Sequence, residues 1–180
     1  VVDTSMGFTP LDGIIMGSRC GAVDPPIVPY IMQKENISVN DIGNWMNKKC
    51  GLVGVSGISS DLRDVKAAMD NGNEDAKLAF DILVYGIKKF IGSYTAIMNG
   101  LDCIVFTAGI GENDEEVRAG VISDMEYLGI KLDSEKNNNI SSLEAPCQIS
   151  TEDSKVKVFV IPTNEELVIA RDTKELVENL

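Results

Sequence analysis

Two short apolar segments, each followed by a turn and a helix-forming stretch, constrain the fold of this chain most strongly. The first, residues 102–107, is apolar at odd and even positions, and this pattern predicts a central strand covered on both faces. The second, residues 156–161, is followed by the same order of turn and helix. Such alternation is typical of an α/β fold in which ligands bind at the ends of the strands.

The helices after these two segments carry start signals. Asn113 precedes Glu116 by three residues, and Thr163 precedes Glu166 by three, which is the spacing of a capping box. We therefore expect Asn113 and Thr163 to cap the two helices. Glu165 is then left free to face the strand ends.

The glycine turn at Gly109-Ile110-Gly111 is not by itself a nucleotide motif. Asp114 occupies the place of the third glycine in a dinucleotide fingerprint, and no glycine-lysine-Ser/Thr triplet of a P-loop occurs. Any nucleotide must therefore be held by dispersed loops. A close strand-to-helix turn without a ligand explains the same glycines.

The strongest helical pattern covers residues 74–99, where apolar side chains recur every three or four positions. This period predicts one long helix with a buried face. The predicted face consists of Ala79, Phe80, Leu83, Ile87, Phe90, Ile91, Tyr94 and Met98.

Charge and cysteine usage exclude several classes of function. The formal net charge of -12, without any basic run, argues against nucleic-acid or anionic-membrane partners. The four cysteines are widely spaced and no histidine is present, so neither a zinc site nor a disulfide framework is indicated. No apolar run approaches the roughly 20 residues of a membrane span. We expect a cytoplasmic protein.

The amino-terminal stretch places one arginine among glycines. Arg19 lies between Gly17 and Gly21, where a flexible backbone allows a planar guanidinium and N–H groups to approach an anion. A solvated arginine on a surface turn is the alternative.

Asp61 and Arg63 stand at the start of a predicted helix, where Asp61 can act simply as the cap.

Four segments, residues 3–21, 56–64, 106–113 and 162–167, resemble blocks of the acetate kinase family in the same order. The resemblance is collinear over the whole chain but covers only the carboxyl-terminal portion of the family's enzymes. It implies an actin/sugar-kinase-like (ribonuclease H-like) ATPase domain, with a mixed sheet flanked by helices. It further implies that residues 1–163 form the nucleotide-binding lobe, while residues 164–180 form a helix packing back toward an amino-terminal lobe.

The resemblance also implies roles for particular residues. Arg19 would stabilise the transferred phosphoryl group, Glu165 would hold Mg²⁺ through water, and Pro10 would line a small pocket for the substrate methyl group. The residues implied for the adenosine site are Asp61, Leu62, Arg63, Gly109, Ile110, Gly111 and Asn113.

The implied reaction is reversible transfer of the ATP γ-phosphoryl group to acetate, which gives acetyl phosphate and ADP. Mg²⁺, or Mn²⁺ in its place, and a homodimer follow from the same resemblance. This chain alone is expected to be inactive, because the family's histidines and catalytic acid would lie outside it. The alternatives are a propionate or butyrate kinase, and a non-catalytic actin-fold module that binds a nucleotide or dimerises.

Overall fold

The computed structural model describes residues 1–140 and 145–178, with only the backbone of Glu165. The chain forms two compact units, Val1–Asn99 and Gly100–Leu180. The division expected at residue 163 stays a prediction.

The regular secondary structure of the first unit is helical in its described part and begins after residue 26. Its helices are α1 (Ile27–Lys34), α2 (Ile42–Lys48), α3 (Gly51–Ser56), α4 (Leu62–Asp70) and α5 (Glu74–Ile97). Helices α3 and α4 both pack on α5. The side chains buried among these three helices include Leu52, Leu62, Val65, Ala76, Ala79 and Leu83.

The predicted long helix is confirmed as α5. The side chain of Asn73 caps it by accepting a 2.8 Å hydrogen bond from the Ala76 N–H, and two acidic residues in the first turn favour the positive end of the helix dipole. Ala79 and Leu83 are buried as predicted. The other members of the predicted face within the helix are only half-buried: Phe80, Ile87, Phe90, Ile91 and Tyr94. Met98 was expected on the same face but is exposed, because the helix ends at Ile97 and Met98 is its C-cap.

The second unit contains the sheet. Its elements are β1 (Cys103–Phe106), α6 (Ala108–Asn113), α7 (Glu115–Ile122), a 3-10 turn over Glu126–Leu128, α8 (Ser134–Asn138), β2 (Cys147–Gln148), β3 (Lys157–Val160) and α9 (Glu165–Glu178). The described strands lie in the order β1-β3-β2. Strand β1 runs parallel to β3, and β2 runs antiparallel to it, so the expected mixed sheet is confirmed.

Strand β1 differs from the prediction in its burial. Ile104 and Phe106 are buried, whereas Cys103 and Val105 are exposed. The expectation of a strand covered on both faces is therefore wrong for the described residues, because they cover one face only.

Both predicted helix caps are displaced by one residue. Asp114, not Asn113, caps α7 by accepting a 2.9 Å hydrogen bond from the Val117 N–H, because α6 continues through Asn113. Asn164, not Thr163, accepts a 3.0 Å hydrogen bond from the N–H of Leu167 in α9.

Among the residues that the structure describes, no helix combines the length and apolar character needed to cross a bilayer.

Candidate functional site

The turn that carries Arg19 is held by backbone hydrogen bonds. Three N–H groups at the start of α3 donate to the carbonyl oxygens of residues 16–18 over 2.9 to 3.1 Å. This approach requires glycine at position 51, where φ is +62° and a Cβ would lie 2.0 Å from the Met16 carbonyl oxygen. On the other side of Arg19, the Cys20 N–H donates a 3.1 Å hydrogen bond to the Met46 carbonyl oxygen, so the backbone is held on both sides.

The guanidinium of Arg19 is available to an anion. Its Nη1 lies 3.3 Å from the Met16 sulfur, and no carboxylate in the described part of the chain forms an ion pair with it. The side chain is partly exposed. An arginine that is permanently charged and has no carboxylate partner suits a phosphate or carboxylate ligand.

The Arg19 turn touches the loop before α4. A Cβ on Gly17 would lie 2.3 Å from the carbonyl oxygen of Ser60, so only glycine permits this contact. The structure thus brings Arg19 and Asp61, which are 42 positions apart in sequence (61 minus 19), onto neighbouring loops of the first unit.

Asp61 caps α4 and binds Arg63. Its Oδ1 accepts hydrogen bonds from the Arg63 backbone N–H at 2.9 Å and from Arg63 Nε at 3.0 Å. These hydrogen bonds, the one from the Arg63 side chain above all, lower the pKa of Asp61 to about 2. The capping interpretation is confirmed. Leu62, between the two, is buried in the core of the first unit.

The exposed side chain of Arg63 remains open on its faces. Its relative exposure is 88%, although its edge is bound by Asp61. A guanidinium held at its edge presents a flat face on which an aromatic base can stack. The bound edge also raises the pKa of Arg63, so the charge is retained.

In the second unit, α6 carries the remaining residues expected at the nucleotide. Gly109, Ile110 and Asn113 are exposed, and Asn113 Nδ2 donates a 2.8 Å hydrogen bond to the Gly109 carbonyl oxygen. A Cβ on Gly109 would meet nothing within 4 Å, whereas one on Gly111 would lie 3.3 Å from the Phe106 carbonyl carbon. A side chain at position 111 would therefore crowd the end of β1, whereas position 109 has open space beside it.

Arg118 supports α6 from the protein interior, a role that sequence reasoning missed. It is 2% exposed, and its Nη1 donates to the carbonyl oxygens of Gly111 and Glu112 at 3.0 and 2.9 Å. Burial lowers its pKa, while the nearby Glu115 and Asp114 carboxylates raise it. The available signal in the sequence is a charged residue close to the apolar Val117, Val121 and Ile122.

The structure adds little about two of the predicted site residues, Glu165 and Pro10. The backbone of Glu165 begins α9, but its side chain lies outside the described part. Pro10 is exposed, between Thr9 and Leu11, which line a shallow cavity of about 250 Å³. Its place in a substrate pocket stays a prediction. No group of three His, Cys, Asp or Glu side chains in the described ranges is arranged to hold a metal ion.

Comparison with known proteins gives one consistent result. The model of the acetokinase family matches residues 1–171. Acetate kinase from Halothermothrix orenii is 56% identical over 178 residues, which cover 99% of this chain and 44% of that protein. Acetate kinase from Acetivibrio thermocellus is 55% identical, again over 99% of this chain and 44% of the relative. The chain thus spans less than half the length of these relatives.

Solved structures agree with this. Acetate kinase from Porphyromonas gingivalis superimposes with a TM-score of 0.88 at 45% identity, over 96% of this chain and 43% of that one. A propionate kinase from Francisella tularensis gives 0.82 at 43% identity, over 93% and 42%. The fold is therefore α/β and actin/sugar-kinase-like, as expected. With the family model matching nearly its whole length, the chain belongs to the acetokinase family.

Proposed function

We propose that this chain provides the nucleotide-binding and charge-stabilising part of an enzyme that reversibly transfers the ATP γ-phosphoryl group to acetate. The products are acetyl phosphate and ADP. One observation carries the proposal: Arg19 has no carboxylate partner in the described part and lies on a fixed turn beside Asp61 and Arg63. The complete activity belongs to an enzyme with the full length of the relatives, since the chain spans 44% of them.

Arg19 would act on the transferring group. During transfer, negative charge spreads over the equatorial oxygens of the phosphoryl group, and a fixed guanidinium stabilises that charge. Because α3 holds the backbone before Arg19 and the Met46 carbonyl oxygen of α2 holds the N–H that follows it, little reorganisation is needed when the substrate reacts.

Each unit offers groups for the adenosine portion of the nucleotide. In the first unit, Arg63 presents a flat charged face, and Asp61 holds it in place while offering a carboxylate to a hydroxyl. In the second, the exposed turn of Gly109, Ile110 and Asn113 allows close approach to the backbone. Leu62 and Gly111 would shape these two surfaces through packing.

Glu165 is the proposed residue for a divalent cation. A carboxylate is the type of ligand that Mg²⁺ prefers, and Mg²⁺ keeps several of its own waters, so one protein carboxylate with substrate phosphates is sufficient. When bound, Mg²⁺ or Mn²⁺ would neutralise charge on the ATP phosphates.

The substrate is proposed from the relatives rather than from a pocket in this chain. Several relatives are named acetate kinase. A solved propionate kinase is similar as well, at 43% identity, and makes propionate the second candidate. Comparing kcat/KM for acetate, propionate and butyrate in a full-length enzyme containing this chain decides between them. A clear preference for propionate or butyrate would reject acetate.

The nucleotide role is tested by calorimetric titration of that enzyme with Mg-ATP. The double variant Asp61→Ala/Asn113→Ala should lose most of the affinity, whereas Lys34→Ala, at an exposed lysine at the end of α1, should retain it. An enzyme that binds ATP but transfers nothing to any of these acids would be the non-catalytic module instead. Unchanged affinity in the double variant would reject the site.

We further propose a homodimer and a docked carboxyl-terminal helix. Leu78 and Tyr85 on α5 expose large apolar surfaces, which suits an interface between copies. Helix α9 exposes Leu167, Ile169 and Leu176 and suits packing against the rest of a full-length enzyme. Sedimentation of Tyr85→Asp tests the first proposal: the variant should be monomeric, and a dimer that survives would reject α5 as the interface. Limited proteolysis of Ile169→Asp tests the docked helix. If α9 packs against the rest of a full-length enzyme, the variant should be cleaved in α9 faster than the wild type.

A cytoplasmic location is also proposed. It is supported by four cysteines that all remain unpaired thiols, as expected in a reducing compartment.

A further inference from the structure

The carboxyl ends of β1 and β3 are joined by side chains. The two strands are parallel, with Phe106 opposite Val160, so the segments that follow them leave the same edge of the sheet. Just beyond that edge, the hydroxyl oxygens of Thr107 and Thr163 lie 2.7 Å apart. One of these segments leads into α6, and the other leads to Glu165.

Glu112 binds both segments with one carboxylate oxygen. Its Oε1 accepts hydrogen bonds from the Ala108 N–H at 2.7 Å and from the Thr163 N–H at 2.8 Å. The residues joined in this way are 55 positions apart in sequence (163 minus 108). Hydrogen bonds to an ionised carboxylate are stronger than those between neutral groups.

The residue that Glu112 holds is in an unfavourable conformation. Ala108 has φ of +59°, a left-handed conformation that a residue with a Cβ rarely adopts. Its N–H also lies 3.0 Å from Thr163 Oγ1, so two acceptors converge on it. Strain of this kind persists where the surrounding contacts enforce it, and it is concentrated at functional sites.

Glu112 contributes little to the core. It is only partly buried, and no residue of α6 is buried. The interior side of the same helix is held separately, by Arg118 through the carbonyl oxygens of Gly111 and Glu112. Removing the Glu112 carboxylate should therefore release the turn without opening the core.

We propose that Glu112 is a positioning residue for the nucleotide, fixing the turn that carries Gly109 and Asn113 to the segment that leads to Glu165. The Glu112 carboxylate holds the backbone of this turn, which is proposed to contact the nucleoside. It thereby fixes the turn relative to the segment that leads to Glu165, the residue proposed for the metal. The proposal rests on the proposed function, because it takes that function's nucleotide site as its object. The lowered pKa of Glu112, caused first by the Thr163 N–H, agrees with an ionised carboxylate at neutral pH.

The experiment compares Glu112→Ala, Glu112→Gln and the control Glu126→Ala in a full-length enzyme containing this chain. Gln keeps a carbonyl oxygen for the two N–H donors, whereas Ala keeps none. Glu126 is an exposed glutamate in the 3-10 turn of the same unit. Calorimetry gives Kd for Mg-ATP, steady-state kinetics give KM for ATP and for acetate, and thermal unfolding monitors stability.

In Glu112→Ala we expect Kd and KM for Mg-ATP to rise about tenfold, while KM for acetate and the unfolding temperature change little, because two charge-assisted hydrogen bonds are lost from the nucleotide turn. Glu112→Gln should recover most of the affinity, and Glu126→Ala should match the wild type. Unchanged Mg-ATP binding in Glu112→Ala would overturn the proposal. So would an equal rise in both KM values, or failure of Gln to recover binding.

Binding is measured independently of phosphoryl transfer, so the two proposals fail separately. A wild-type enzyme that binds Mg-ATP but phosphorylates no acetate rejects the proposed function and leaves the positioning role to be decided by Kd. A wild-type enzyme that binds no nucleotide rejects both.

Discussion

The Arg118 guanidinium binds both the side chain and the backbone of Asn137: Arg118 Nε donates to Asn137 Oδ1 at 2.8 Å, and Arg118 Nη2 donates to the Asn137 carbonyl oxygen at 2.9 Å. Asn137 in α8 is itself buried. The same guanidinium donates to the carbonyl oxygens of Gly111 and Glu112, so one buried cation connects α8 to α6. Few other side chains can replace it, because the fork of an arginine points in several fixed directions at once.

Replacing Arg118 with Met should therefore destabilise the protein by about 3 kcal/mol, because several buried acceptors lose their donors. Equilibrium unfolding in urea measures this cost. The control is Lys131→Met, which removes an exposed ion pair with Asp153 and should cost less than about 1 kcal/mol. Equal costs for the two variants would contradict the role assigned to Arg118.

Arg19→Ala and Arg63→Ala should affect different kinetic constants. Without Arg19, kcat for acetate phosphorylation in a full-length enzyme should fall at least about a hundredfold, about 3 kcal/mol of transition-state stabilisation, with little change in KM for ATP. Without Arg63, KM for ATP should rise and kcat should change little, since its proposed partner is the base.

Steady-state kinetics with varied ATP and acetate separate the two effects. The exposed Lys34 provides the matched loss of one positive charge, and Lys34→Ala should leave both constants unchanged. If Arg19→Ala retained nearly full turnover, Arg19 would have no role in the transition state.

Two glycines of α6 should respond differently to alanine. Gly109→Ala should leave stability unchanged or slightly raised, because its Cβ enters open space and alanine favours a helix. Its affinity for Mg-ATP should nevertheless fall, since the methyl group occupies the side of the turn open to a ligand. Gly111→Ala should unfold at lower urea than Gly109→Ala, because its Cβ presses on the backbone of β1.

Urea unfolding and Mg-ATP titration of both variants provide the check. Full nucleotide affinity in Gly109→Ala would mean that the open side of this turn is not where the nucleotide binds.

Acid should remove the contribution of Asp61 to stability. Its pKa is about 2 in the folded protein, against about 3.9 for an unfolded aspartate. A lowered folded pKa adds stability that is fully present above about pH 4 and is lost as the pH falls toward about 2. Asp61→Asn retains a capping oxygen but cannot ionise.

Thermal unfolding of the wild type and Asp61→Asn between about pH 5 and about pH 2 tests this linkage. The stability difference between them should shrink as the pH falls. A difference that stayed constant across this range would show that the Asp61 charge does not contribute.

The elements set by local pattern were predictable from the sequence. The period of apolar residues located α5, and a short apolar run located β1, because both signals lie within the element itself. Cap positions were less certain, since Asn113 and Asp114 are both good capping residues and the choice depends on where α6 ends. The exposed face of β1 was not predictable, because burial depends on what packs there.

The candidate site was predicted through family resemblance more than through local pattern. Asp61 was identifiable as a cap from its position before an amphipathic stretch. Glu112 was missed because its acceptor role depends on Thr163, far along the chain, and nothing near Glu112 in sequence signals that contact. Arg118 acts mainly through backbone carbonyls, and their positions are fixed only by folding.

Strand β1, at one end of the described sheet and with Val105 exposed, has a practical consequence for anyone who purifies this chain alone. An uncovered strand with an apolar face is a template for adding a further strand. In a concentrated preparation the most abundant candidate is another copy of the same chain, so solution behaviour should depend on concentration. A charged residue at position 105, as in Val105→Lys, is a simple way to improve solubility without disturbing Ile104 and Phe106 on the buried side.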